Sequence, residues 1–138
     1  MDYSLLGRVM ELVHLDKFYA KKSTWENRNA VYYAVKHGKV LTHWDGDNLV
    51  GYCAYGFFTR DELDKDLWNG DEVYARDTGD ILYFPKFQCR HGKREVIKFI
   101  RNIQQDMSEK YPNLDKAEGL RVYPIGRTRN EKWHRKSA

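Results

Sequence analysis

The chain is short of the residues that would give it a simple label. Among 138 residues there are two cysteines, three prolines and three methionines. Two cysteines make no disulfide framework, and neither Cys53 nor Cys89 stands at a zinc-ligand spacing. Cys53 sits in an apolar run and reads as a small core residue. The start, Met1-Asp2-Tyr3-Ser4, is neither basic nor followed by a long apolar stretch. That pattern predicts no signal peptide and no membrane span, and with reduced cysteines it leads to a cytoplasmic setting as the expectation. There is no internal repeat, low-complexity segment or Gly/Ser-rich linker. The expectation is one domain over residues 1–126, followed by a basic tail over 127–138.

Aromatic residues are plentiful, at 14% of the chain, with hydrophobic residues at 41% and charged residues at 32%. A well-filled core or a flat-walled groove is expected. The net charge is only +4, too small for a dedicated nucleic-acid protein. The excess gathers late: Arg127, Arg129, Lys132, Arg135 and Lys136 are opposed only by Glu131. With Trp133 among them, phosphate contact and base stacking remain open for this tail, against simple solvation.

Hydrophobic spacing predicts the elements. Leu5, Leu6, Val9, Met10, Leu12 and Val13 give a half-buried helix over residues 4–15. Ser23 and Glu26 make a capping-box signature for a helix over about 24–37, with Trp25, Val31, Tyr32 and Val35 on its apolar side. Strands over 39–44 and 48–57 flank Asp45-Gly46-Asp47, a hairpin signal. Thr59 and Glu62 repeat the capping box for a short helix over about 60–68. Residues 69–78 read as turn. Ile81 to Phe87 reads as a strand, with Pro85 marking an edge, a bulge or a splayed end. A long helix begins after Gly92 and stops before Pro112. Its stripe is Val96, Ile100, Ile103 and Met107, widened by Ile97 and Phe99. Leu120 to Tyr123 is a short last strand. The order α-α-β-β-(α)-β-α-β predicts an α+β fold with a mixed, largely antiparallel sheet flanked by helices.

One junction has chemical content. The apolar strand ends in Gln88-Cys89-Arg90-His91-Gly92-Lys93, and the long helix starts there. A helix N-terminus offers unpaired N–H groups and partial positive charge, Gly92 permits close approach, and Arg90 and Lys93 add full charges. Gln88, Arg90, His91, Gly92 and Lys93 are therefore candidate anion ligands. The alternative is a solvated turn. His91 also belongs to the one residue type that ordinarily titrates near neutrality. His14 ends an apolar helix, and His43 adjoins Trp44 before the hairpin turn. Asp61, Glu62, Asp64 and Asp66 read as a solvated helix face.

The element order resembles the GNAT acyl-CoA N-acyltransferase fold. Within it, Leu6-Gly7-Arg8-Val9, Leu49-Val50-Gly51-Tyr52-Cys53-Ala54-Tyr55, Gly79-Asp80-Ile81-Leu82-Tyr83-Phe84 and Leu120-Arg121-Val122-Tyr123-Pro124 resemble, in order, the toxin-activating lysine acyltransferases. The resemblance implies an acyl donor on coenzyme A or acyl carrier protein, no metal, and a lysine or other amine as acceptor. Arg121 matches the family's Arg and is a candidate substrate-binding residue for a carboxylate or phosphate, against an Arg snorkelling at a strand edge, and the resemblance leaves a phage or prophage origin open. The chain departs from that family at its chemistry. Residues 18–25 hold no His where the family carries one, so His14 becomes the first candidate base and His91 the second. Lys86 stands where the family has an Asp. A catalytically dead binding or inhibitory module of the same fold is the competing reading.

Overall fold

The computed structural model describes residues 1–15, 25–65, 67–77, 81–112, 116–122 and 128–134, with only the main chain for 25–27, 116–122 and 128–134. Helix α1 is Tyr3–Leu15 and α2 is Trp25–Lys36. The hairpin is β1, Val40–Asp45, and β2, Asn48–Phe58. Two short helices follow, α3 at Arg60–Asp64 and α4 at Asp71–Ala75. Then come β3 at Ile81–Cys89, α5 at Lys93–Lys110, β4 at Lys116–Val122 and β5 at Thr128–His134.

The strands form one five-stranded sheet in the order β1-β2-β3-β4-β5. β1–β2, β2–β3 and β4–β5 are antiparallel, whereas β3 and β4 are parallel. A parallel neighbour needs a crossover connection, and α5 supplies it. The inner strand β2, between β1 and β3, is buried on both faces, and its alternation sorts the helices. Tyr52, with Val9, Leu12, Val13, Val31 and Val35, packs under α1 and α2. Ala54 and Phe58 meet Ala30 and Ala34 of α2 and Val73 and Tyr74 of α4. Cys53, Tyr55 and Phe57 face the other way, onto Phe99, Ile103 and Met107 of α5. Each buried large side chain contributes about 1.5–3 kcal/mol, so these two packed layers hold the sheet.

Gly51 has a defined reason. A Cβ there would stand 3.1 Å from the Phe99 ring and from the Gln88 main-chain oxygen. Its lack of a side chain lets α5 press Phe99 onto the sheet, stacked between Phe87 at 5.3 Å and His43 at 5.2 Å.

Several expectations need correction. Residues 69–78 contain α4, five residues too short to show a period. The short helix after Thr59 stops at Asp64 rather than about residue 68, although its capping box forms in full, with Thr59 and Glu62 reciprocally bonded. Residues 127–138, read as a tail, contain β5. The last strand expected from Leu120 starts at Lys116. Ile97 is 41% exposed and does not join the buried stripe of α5. The capping box at Ser23, the motif residues Gly79 and Asp80, and Tyr123 lie outside the described residues. Among the described residues, no helix is long and apolar enough to cross a membrane.

Candidate functional site

The chemistry-bearing junction is built by an irregular strand. Between Ala54 and Gly56, two residues along β2, the partners on β3 run from Lys86 to Tyr83, three residues, so β3 carries one extra residue at Phe84–Pro85. A bulge accommodates a proline because one residue there needs no ladder bond. The parallel ladder to β4 runs Leu82↔Ala117, Tyr83↔Glu118, Phe84↔Gly119 and goes no further among the described residues. Both strands continue, β3 to Cys89 and β4 to Val122. Beyond the bulge, Phe87–Cys89 keep their pairing with β2 but are released from the ladder to β4 among the described residues. Main-chain N–H and C=O groups freed in this way must find partners elsewhere.

The released segment leads straight into the basic turn. The Arg90 N–H donates to the Val50 carbonyl at 2.8 Å, which keeps the end of β3 on β2. His91 then takes φ 69°, a left-handed conformation that costs a residue with a Cβ about 1–2 kcal/mol. Gly92 follows at φ 92° and ψ −179°, a region open essentially to glycine alone. These two residues turn the chain into α5. Gly92 caps the helix without a side-chain hydrogen bond, so no side chain occupies the helix N-terminus as an N-cap acceptor. Arg90, His91, Gly92 and Lys93 are all exposed around it.

Glu95 moderates this positive end. Its carboxylate lies in the first turn of α5, 2.7 Å from His43 Nε2 and 3.3 Å from Lys98 Nζ. The His43 hydrogen bond, reinforced by Lys98, holds its carboxyl below the usual carboxylate range. Cys89 is half-buried, and burial pushes its thiol up to about 11. A thiol so disfavoured as thiolate is a poor nucleophile. Burial raises the Cys53 thiol further still, in keeping with its place in the core.

The other sequence candidates are placed as follows. Gln88 does not point at the turn. It pairs with Tyr52, so its side chain lies on the α1 side of the sheet, opposite α5. There it is buried, and its Nε2 donates to the Leu12 carbonyl at 2.8 Å. His14 is exposed in the last turn of α1, two residues beyond Leu12. The structure thus brings the His14 region to the released half of β3, on the face away from His91. Arg121 lies in β4 opposite Arg129, and its side chain is outside the described residues. Lys86 is buried, with its ammonium 4.7 Å from the Trp68 ring centroid. A cleft of about 550 Å³ lies between the start of α1 and the hairpin. Its Arg8 stacks over Trp44 at 5.3 Å and donates to the Asp47 carbonyl. None of the turn residues lines it. Among the described residues, no group of three or more His, Cys, Asp or Glu side chains could hold a metal ion.

Two contributors to this region were not legible in the sequence. Nothing in the sequence singles out Glu95, and His43 shows there only as adjoining Trp44 before the hairpin turn. The signal available was register: His43 pairs with Gly51, and Gly51 with Cys89. That places His43 over the α5 face once the hairpin is drawn.

No family model matches the sequence, and no curated protein matches it significantly. Among solved structures, one from Staphylococcus aureus Mu50, provisionally described as an acetyltransferase, matches with a TM-score of 0.56 at 8% identity. The match covers 85% of this chain and 74% of that one. At such low identity it speaks to the fold alone, and with the element order and mixed sheet it makes this a GNAT-like α+β fold.

Proposed function

We propose that the protein is an N-acyltransferase that moves an acyl group from a thioester donor, acyl-coenzyme A or acylated carrier protein, to a lysine or another amine. The observation that carries this reading is the end of the β3–β4 ladder at Phe84 and Gly119, beside the Phe84–Pro85 bulge and leading into the open N-terminus of α5. A slot beside the part of β3 that has left the β4 ladder, ending at an anion-ready helix, suits an extended donor with a phosphate at one end and a thioester at the other.

In the reaction the amine nitrogen attacks the thioester carbonyl. The C–N bond forms, the C–S bond breaks, a base removes the amine proton, and the thiol leaves with a proton. Main-chain N–H groups of the released strand would hold the oxyanion. Arg90, Lys93 and the first N–H groups of α5 would hold the phosphate, with His91 beside them. His14, at the corner of α1 and β3, is the first choice of base. The motif resemblance to toxin-activating lysine acyltransferases favours a protein lysine as acceptor and carrier protein as donor. It also keeps a phage origin open.

A second reading is a catalytically inactive binding or inhibitory module of the same fold. It is favoured by Lys86, held against Trp68 where the resembling family has an Asp. The test is incubation with acetyl-coenzyme A, a long-chain acyl-coenzyme A and acylated carrier protein, with lysine peptides as acceptors, read by intact mass. Calorimetry of donor binding runs alongside. Acyl transfer with any donor supports the first reading; donor binding without transfer supports the second.

A further inference from the structure

The molecule contains a buried polar atom that its own fold does not use. Gln88 is 7% exposed, and its Nε2 donates to the Leu12 carbonyl. Its Oε1 is buried and accepts no hydrogen bond from the described residues. A buried acceptor left in this state costs free energy. The position also has a character of its own. The carbonyls of a helix's last turn have no partner within the helix and carry partial negative charge. Leu12 belongs to the last turn of α1, with Val13, His14 and Leu15 after it. The corner thus gathers acceptors: a glutamine oxygen and a helix C-terminus. Its walls are apolar, since Leu12 and Val13 are buried and Tyr52 pairs with Gln88 on the next strand.

A group that only donates hydrogen bonds fits such a place. An alkylammonium has three donors and no acceptor, and its carbon stem suits apolar walls. We propose that this corner, between Gln88 Oε1 and the last turn of α1, seats the acceptor's primary amine. The inference rests on the acyltransferase reading, and it names a site that the donor slot does not contain. Gln88 stands on the half of β3 released from β4, with its side chain on the face away from α5. An amine held there approaches a thioester in the slot from the opposite face to the phosphate-binding turn. His14 is in the same helical turn, where a base for the ammonium proton is needed. Gln88 touches the substrate in this arrangement and orients its nitrogen.

The experiment uses the full chain labelled with ¹⁵N and no acyl donor. The probes are Nα-acetyl-lysine methylamide and, as the neutral counterpart, Nα-acetyl-norleucine methylamide. The lysine probe should shift the Gln88 side-chain amide and the Leu12 to Leu15 backbone signals saturably, and the norleucine probe should not. Gln88→Leu should weaken lysine-probe binding at least tenfold. Gln88→Glu keeps an acceptor but loses the donor to the Leu12 carbonyl, so it should still bind the lysine probe in preference to the norleucine probe. Equal shifts with both probes, no shifts at all, or unchanged binding in Gln88→Leu would overturn the proposal. Should Gln88→Leu not fold, loss of the preference for the lysine probe in Gln88→Glu overturns it instead. Probe binding without acyl transfer in a parallel assay keeps this site and removes the acyltransferase reading. Transfer with an unchanged amine KM in both variants removes the site and keeps the reading.

Discussion

His43 Nε2 lies 2.7 Å from Glu95 Oε2, and the His43 ring stacks on Phe99 with its centroid 5.2 Å away. The contact ties the hairpin to the first turn of the long helix α5. It also fixes a negative charge beside the helix end proposed to hold a phosphate. A carboxylate near a helix N-terminus is itself favourable, so Glu95 stabilises the fold while competing with a bound anion.

Glu95→Gln should therefore raise the affinity for coenzyme A a few-fold, and the gain should shrink as salt is added. Isothermal titration at two ionic strengths measures it. Unchanged affinity at low salt would mean that the phosphate does not sit at this helix end.

The converse change is Arg90→Ala with Lys93→Ala. Charge-assisted hydrogen bonds contribute about 1.5–3 kcal/mol each; exposure places these near the lower end. The double variant should lose at least tenfold in donor affinity and keep its melting temperature, because both side chains are exposed. A large loss of thermal stability instead would mark these residues as structural.

Gly92 is where the turn geometry can be tested directly. Its φ of 92° with ψ of −179° is strained for any residue with a Cβ. Gly92→Ala should destabilise the fold by about 1–3 kcal/mol, read by denaturant unfolding. Nothing stands within 4 Å of the new Cβ, so the effect comes from the backbone and not from a clash.

The framework was largely legible in the sequence because its signals are local. Asp45-Gly46-Asp47 announced the hairpin, Thr59 and Glu62 their capping box, and the spacing of Val96, Ile103 and Met107 the long helix. β5 was not legible. An edge strand is held through its main chain, and Thr128–His134 carries no apolar alternation to betray it. The site was half legible. Pro85 signalled an edge, a bulge or a splayed end, of which the bulge formed, and Gly92 signalled the turn. The direction of Gln88 was hidden, since it depends on register. It is the alternate pairing of Phe87 with Cys53 and Gln88 with Tyr52 that sends Gln88 towards α1.

Glu62 provides a pH test of the fold away from the site. Arg76 bonds both of its carboxylate oxygens at 2.7 Å. That bond, with the Thr59 N–H assisting and burial opposing, lowers the Glu62 carboxyl to about 2. The folded value lies below the unfolded one. The associated stability is thus fully present above the ordinary carboxylate range and is lost as pH falls from about 4.5 towards 2. Arg76→Met should cost about 1 kcal/mol at pH 6 and flatten the acid limb of a melting-temperature profile. A mutant profile parallel to the parent's down to pH 2 would refute the assignment.

The two histidines at the junction should separate cleanly under mutation. His14 shares the last turn of α1 with Leu12, whose carbonyl holds Gln88, and is exposed there. His91 lies across the sheet in the turn, with φ 69°. General-base catalysis by a positioned side chain contributes about 10²–10⁴-fold. His14→Ala should therefore reduce kcat for acyl transfer by about that factor, with little change in melting temperature, since the side chain is exposed. His91→Gly should leave kcat close to the parent value. Its effect should appear instead as a changed donor KM and as a slightly raised melting temperature, because glycine accepts the left-handed conformation that His91 adopts under strain. Rates and melting curves for both variants with the same donor and acceptor decide the matter. Loss of kcat in His91→Gly with full activity in His14→Ala would reverse the two roles and move the base to the donor side of the sheet.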